Sequence, residues 1–355
     1  MKKLIILTGP TAVGKTDLSI NLAKALNGEI ISADSAQVYK GLDIGSAKIT
    51  EEEMDGVPHH LIDVYDANFS FDVTVFQRDA KRLVDEITAR GHIPIVVGGT
   101  GFYIQALLYD IDFTDEDSVI EGNDSKEQIE AELTSISEDP DILHDKLREV
   151  DPVSAEKIHK NNIRKVIRAL EFYKLHGYPI SQHNENERKK ESAYDSLYFV
   201  LNMNRDKLYD RINRRVDIMR DSGLVEEVEH LLSEGVLPTA TSMQAIGYKE
   251  IIEAIMILYK NYDTSKGKCT EIESNKNLKV FLSSDIYKLN IKNSEEYKTL
   301  MDIAFEKIKL NTRHFAKRQL TWFRREKNVI YLDKDEMTED EILEKILSLT
   351  KNKEL

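Results

Sequence analysis

The stretch GPTAVGKT, Gly9 to Thr16, follows directly on the apolar run Leu4 to Leu7 and fits the spacing GxxxxGK[ST] of a phosphate-cradling loop. The chemistry such a loop performs is anion capture. Glycines let backbone N–H groups approach phosphate oxygens, and the helix that follows turns its positive dipole end on the same anion. Gly9, Pro10, Thr11, Ala12, Val13, Gly14, Lys15 and Thr16 are therefore expected to cradle a phosphate or diphosphate. Lys15 supplies a point charge, Thr16 a hydroxyl for a magnesium ion bridging the phosphates, and Thr11 a donor that most such loops lack.

A carboxylate and a pair of arginines stand where they could act on that ligand. Asp34 follows the strand-like run Glu29 to Ser32, where it either faces the loop across a crevice or caps a turn over Ser35 to Tyr39. Phosphoryl-transferring chains usually end a nearby strand in an aspartate that holds magnesium, but here Ile93 to Val97 runs into Gly98-Gly99-Thr100-Gly101 without a carboxylate. The segment LYDRINRRVDIM sets Arg211 and Arg215 one helical turn apart, with Arg214 to the side. They can stabilise charge gathering on a leaving diphosphate, or pair at the surface with Asp210 and Asp217. His59-His60 is a poor metal pair, since adjacent residues of a strand point to opposite faces. Trp322, flanked by Lys317-Arg318 and Arg324-Arg325, suits either a core anchor for the last helix or a stacking platform for a base.

The elements that must position these residues alternate. Leu4 to Leu7 is followed by a helix reaching Leu26, Glu29 to Ser32 by a helix around Val75 to Arg90, and then comes Ile93 to Val97. This rhythm predicts a parallel sheet covered on both faces, with ligands at the carboxyl ends of its strands. After Leu108 an acidic, turn-rich stretch, Asp110 to Asp124, leads into helical periodicity from Lys126 through Lys174. Leu197 to Met203 returns to the sheet, and helices are expected over Arg205 to Ser222, Val225 to Glu234 and Ala245 to Tyr259. Asn261 to Ser294 is polar, broken only by Val280-Phe281-Leu282, and reads as a flexible insertion.

Composition narrows the class. In 355 residues, 41% hydrophobic, no apolar run approaches the roughly 20 residues a membrane span needs, and the single cysteine, Cys269, excludes an internal disulfide. A cytoplasmic protein that avoids membranes is expected. The net charge of −14 argues against a nucleic-acid partner until its distribution is considered. Lys157 to Arg168 carries five Lys/Arg and no acid, and Arg313 to Lys327 carries six against Glu326 alone. Each run is either a solvated helix face or a local basic surface on an acidic chain.

Taken together, the motifs resemble those of the bacterial tRNA dimethylallyltransferase (tRNA isopentenyltransferase) family. GPTAVGKT, SADSAQVYKGLDIGSAK, PHHLID, VGGTGFY, EVDP, IRALE, LYDRINRRVDIM, QAIGYKE and TRHFAKRQLTWFRR occur in order over nearly the whole chain. The resemblance implies a P-loop NTPase-like α/β fold, with residues 1–112 and 195–355 as the catalytic core and 113–194 as a helical insertion that clasps the tRNA anticodon stem. It implies transfer of a dimethylallyl group from dimethylallyl diphosphate to N6 of the adenosine 3′ of the anticodon, by a monomer using Mg2+. Asp34 would be the base, Lys15, Thr16 with magnesium, Thr11 and Arg215 would hold the leaving diphosphate, and the target base would be flipped out of its loop. Contacts to tRNA would come from Asp34, Ser35, Ala36 and Gln37, from Thr100, and from Arg164, Lys165, Val166, Ile167 and Arg168. This chain departs from the family at Asn161-Asn162-Ile163, where an Asn-Asp-Pro is usual, and at Lys126, which replaces a usual arginine among the tRNA contacts. A small-molecule kinase and a non-enzymatic RNA-binding module are the alternative readings of the same residues.

Overall fold

The computed structural model describes residues 1–113, 126–135, 139–187, 189–265 and 275–353, so Cys269 lies outside the described residues. Six strands form one sheet: β1 (Lys3–Thr8), β2 (Gly28–Ala33), β3 (His59–His60), β4 (Ile93–Gly98), β5 (Asp195–Asn202) and β6 (Val329–Asp333). Their order is β3-β2-β4-β1-β5-β6, and every neighbouring pair is parallel. Burial on both faces explains the unbroken apolar run Leu4 to Leu7 within β1. Ile5 and Leu7 join a core with Leu18, Leu22, Phe199, Leu201, Ile342 and Ile346. Leu4 and Ile6 face the other way and are equally buried. On β2 and β4 packs the helix Val73–Ala89, which buries Phe76, Ala80, Leu83, Val84 and Ile87.

The topology sets the site. From β1 the chain crosses to β2, leaving a gap that β4 later fills, whereas β5 attaches on the opposite side of β1. Connections therefore diverge at β1, and a crevice opens at its carboxyl end, where Gly9 begins the phosphate-type loop.

The chain divides into two compact units, Met1–Ile104 with Tyr194–Leu355, and Gln105–Ala193. The second is helical, with helices Lys126–Ser135, Pro140–Val150, Pro152–Lys157, Ile163–His176 and Ile180–Glu187. It has its own core of Ile129, Leu133, Leu143, Leu147, Val166, Ala169, Leu170 and Leu175. Asp151 of the EVDP motif is structural: it accepts from Ser154 N at 2.9 Å and Ser181 N at 3.0 Å, capping the helix Pro152–Lys157 and pinning the helix Ile180–Glu187. Burial opposes its charge, but the Ser181 and Ser154 donors hold its pKa below the usual carboxylate range.

Two regions differ from the sequence expectation. The helix carrying Trp322, Glu295–Phe323, is not the last; β6 and the helix Glu339–Asn352 follow it. The polar stretch from Asn261 is largely helical where it is described: Tyr248–Ser265 continues into it, Asn275–Ser283 is a helix, and Ile286–Ile291 is a π-helical turn. Leu278, Phe281 and Leu282 are buried at helical spacing, as is Tyr287, which donates to Glu229 at 2.6 Å. A narrow apolar stripe suffices to dock a helix, and the surrounding Lys, Asn and Ser dilute it below notice in the sequence. We expect Phe281→Ala to cost about 3–5 kcal/mol in chemical denaturation, whereas Val280→Ala, at a side chain 64% exposed, should cost less than about 0.5 kcal/mol. Equal, small effects would mean that this stretch is not packed.

Candidate active site

The loop reaches its helix through Gly14, whose φ of 89° and ψ of 51° lie in the left-handed region that favours glycine. Gly14 provides no side-chain cap, so the first-turn N–H groups of the helix Lys15–Leu26 remain available to an anion. Cationic side chains hold the loop's carbonyls. Lys15 Nζ donates to Gly9 O at 3.0 Å and Pro10 O at 2.8 Å, Arg211 Nε donates to Ala12 O at 2.8 Å, and Lys334 Nζ approaches Gly14 O at 3.5 Å. Because a trans peptide sets each N–H opposite the preceding C=O, holding Gly14 O in this way turns the Lys15 N–H to the other side.

Three charges face one another here. Burial first, and then the Arg215 guanidinium, bring the Lys15 pKa down to about 7, with Asp34 pulling against both. Burial also lowers the pKa of Arg215, again opposed by Asp34. Arg215 donates to Ser46 O at 3.4 Å, and Gln37 Nε2 donates to the same carbonyl at 3.3 Å and to Ala47 O at 3.2 Å. The segment they share is fixed from behind. Glu227 accepts from the N–H groups of Asp43 (3.0 Å), Ile44 (2.7 Å) and Gly45 (3.1 Å) and from the Tyr248 hydroxyl (2.6 Å).

Asp34 does both things that its position allowed. Its Oδ1 accepts from Ala36 N at 2.8 Å and Gln37 N at 3.3 Å, capping the turn, while Oδ2 has no hydrogen-bond partner among the described residues. One oxygen anchors the carboxylate and the other remains for a proton. Thr100 N–H donates to Ala33 O at 3.2 Å, bringing the end of β4 beside Asp34. Ser35 is exposed and Ala36 half-buried on the same turn.

The other anticipated residues are distributed as follows. Thr11 N–H donates to Gln319 Oε1 at 2.9 Å. Thr16 is exposed, and its hydroxyl has no partner among the described residues. No group of three or more His, Cys, Asp or Glu that could hold a metal occurs among the described residues. A magnesium ion would thus take the Thr16 hydroxyl from the protein and its other oxygens from diphosphate and water, a donor set that suits this ion. In the helical unit Arg164, Lys165 and Arg168 are exposed, whereas Val166 and Ile167 turn into the unit's core. The backbone of Lys126 opens a helix, and its side chain lies outside the described residues. His59 and His60 are structural: His59 Nδ1 lies 2.8 Å from Val57 O, and His60 Nε2 lies 2.6 Å from the buried Glu29. Trp322 packs edge-on to Phe102 and covers Gly101, where a Cβ would stand 2.3 Å from the indole.

Sequence reasoning passed over Gln319 and Glu227. Gln319 shares the buried stripe of its helix with Ala316 and Phe323, and an amide on an apolar stripe is the signal that could have marked it. Glu227 carries no such mark.

A model of the IPP transferase family matches residues 37–326. The chain is 47% identical over 356 residues to the tRNA dimethylallyltransferase of Lachnoclostridium phytofermentans, covering 100% of this chain and 99% of that one. It is similar to the solved tRNA delta(2)-isopentenylpyrophosphate transferase of Staphylococcus epidermidis, with 38% identity, 99% of each chain covered and a TM-score of 0.63. It is also similar to a eukaryotic dimethylallyltransferase solved acting on tRNA, with 30% identity, 94% of this chain and 74% of that one covered, and a TM-score of 0.71.

The depressed Lys15 predicts proton-linked anion binding. With its pKa near 7 in the free site, the amine is charged below that pH and largely neutral above it; a bound anion raises the pKa, so binding above pH 7 takes up a proton and weakens as pH rises. Calorimetry with inorganic diphosphate near pH 8, in buffers of different ionisation enthalpy, should show more proton uptake for the wild type than for Lys15→Arg, which cannot titrate there. Equal uptake would contradict the assignment.

Proposed function

This chain belongs to the IPP transferase family, and we infer that it transfers a dimethylallyl group from dimethylallyl diphosphate to N6 of the adenosine 3′-adjacent to the tRNA anticodon, giving N6-(dimethylallyl)adenosine and diphosphate. The observation that carries the reading at residue level is the meeting of Lys15, Asp34 and Arg215 at the end of β1. An allylic C1–O bond breaks while N6 attacks C1, so negative charge gathers on diphosphate and a proton must leave N6. Lys15, Arg215 and the N–H groups of Gly14 to Thr16 meet the first need, and the free Oδ2 of Asp34 meets the second. Thr11 adds its hydroxyl to the diphosphate oxygens. Magnesium held by Thr16 and the diphosphate would spread the leaving group's charge further.

An exocyclic amine stacked in an anticodon loop is out of reach of this crevice, so the base is flipped out to meet Asp34. Ser35, Ala36, Gln37 and Thr100, around the same turn, contact the flipped nucleotide and its neighbours. Arg164, Lys165 and Arg168, exposed on one helix, bind phosphates of the anticodon stem, with Lys126 of the same unit assisting. Val166 and Ile167 support that helix from within rather than reach RNA themselves. The protein works as a monomer in the cytoplasm; among the described residues no helix is long and apolar enough to cross a membrane.

Asp34→Ala should keep much of its affinity for an anticodon stem-loop while single-turnover transfer falls roughly 10²–10⁴-fold, the usual worth of a general base. Unchanged turnover would remove Asp34 from that role. Arg215→Ala should weaken use of dimethylallyl diphosphate and slow the chemical step; a defect confined to RNA affinity would assign it to RNA instead. Replacing Arg164, Lys165 and Arg168 together by Ala should flatten the dependence of log Kd on log salt by about two to three, if each meets one phosphate. An unaltered slope would mean that this helix face is solvated only.

A further inference from the structure

Gln319 is absent from the chemistry above, yet its amide ties together the loops that perform it. It is 5% exposed on the helix Glu295–Phe323. Its Oε1 accepts the Thr11 N–H at 2.9 Å, and its Nε2 donates to the Gly99 carbonyl at 2.9 Å. These partners fix the sense of the amide, because reversal would oppose two donors at Thr11 and two acceptors at Gly99. Gly99 is what makes room: a Cβ there would stand 2.2 Å from Gln319 Nε2.

The line of contact continues to the base. Thr100 N–H reaches Ala33 O at 3.2 Å, and Gly98 lies so close to β2 that a Cβ on it would stand 2.2 Å from the same oxygen. Ala33 immediately precedes Asp34. Contacts therefore run from Thr11 in the diphosphate loop through Gln319, Gly99, Thr100 and Ala33 to Asp34. An amide arriving from a distant helix thus ties the loop after β1 to the end of β4, and the β4–β2 ladder with the Thr100 N–H carries the connection on to Ala33.

We propose that Gln319 is a positioning residue that sets the separation between the diphosphate loop and Asp34, so that the allylic carbon and the adenine N6 meet in line. This rests on the prenyl-transfer reading. The substrates are gripped by other groups, Lys15, Arg215 and the exposed basic helix, so loss of the amide leaves both bound and misaligned. Misplacement by about 1 Å can cost on the order of 10²-fold in rate.

The test compares wild type, Gln319→Glu and Gly99→Ala in single turnovers with dimethylallyl diphosphate and an anticodon stem-loop, both saturating. Glutamate keeps an acceptor for Thr11 N–H but, when ionised, sets a carboxylate against the Gly99 carbonyl; once protonated it donates as glutamine does. Near pH 8, Gln319→Glu should be about 10–100-fold slow, with both dissociation constants within about threefold of wild type. Relative to wild type, the deficit should shrink towards pH 6, because burial raises the pKa of the new carboxyl. Gly99→Ala pushes on the amide from the other side and should be slow at every pH, which keeps the test decisive if Gln319→Glu does not fold. Wild-type rates in both variants, or a loss seen wholly in RNA affinity, would overturn the proposal. A wild-type protein that transfers no prenyl group in this assay would overturn the reaction itself, a distinguishable result.

Discussion

Two cations and one carboxylate share a partly buried crevice, and their mutual balance is the constraint around which the rest is arranged. Lost hydration lowers the pKa of both Lys15 and Arg215, the Arg215 charge lowers that of Lys15 as well, and Asp34 offsets part of that cost. The arrangement is incomplete by one anion. On the proposed reading a diphosphate supplies it, so that the strain of assembling like charges would be relieved on binding and the site would favour a ligand of that charge. The sheet makes this possible by delivering Lys15 from the end of β1 and Asp34 from the end of β2, while Arg215 arrives on the helix that follows β5.

Hydrogen bonds between side chains and backbone groups keep the charges in place. Loop carbonyls are held by Lys15, Arg211 and Lys334, the Ser46 carbonyl receives both Arg215 and Gln37, and Glu227 anchors the backbone beside Ser46 through three N–H groups. Asp34 spends one oxygen on its own turn and keeps the other. A carboxylate so divided is oriented with one oxygen left open, which is what the proposed reading asks of a base acting on a weakly acidic exocyclic amine.

The parts legible in the sequence were local. The loop spacing, the strand-end placement of Asp34, the turn relation of Arg211 to Arg215 and the alternation of β1, β2 and β4 each lie within a short window, and each element appears where its pattern put it. What stayed hidden was tertiary. Gln319 meets Thr11 across 308 residues, and nothing near either position announces the other. The helix Asn275–Ser283 is hidden within the polar stretch Asn261 to Ser294 because its apolar residues are few, although their spacing is helical. The resemblance names Arg164 to Arg168 as one block of RNA contacts, whereas helical period separates the outward Arg164, Lys165 and Arg168 from the inward Val166.

The account stands on the claim that the diphosphate held by Gly9 to Thr16 departs whole. Its most direct test is phosphorus NMR of the reaction with dimethylallyl diphosphate and an anticodon stem-loop, set against mass analysis of the nucleosides from the same sample. One inorganic diphosphate released for each N6-prenylated adenosine is the predicted result. Orthophosphate release, or a phosphorylated product without prenylated adenosine, would contradict it.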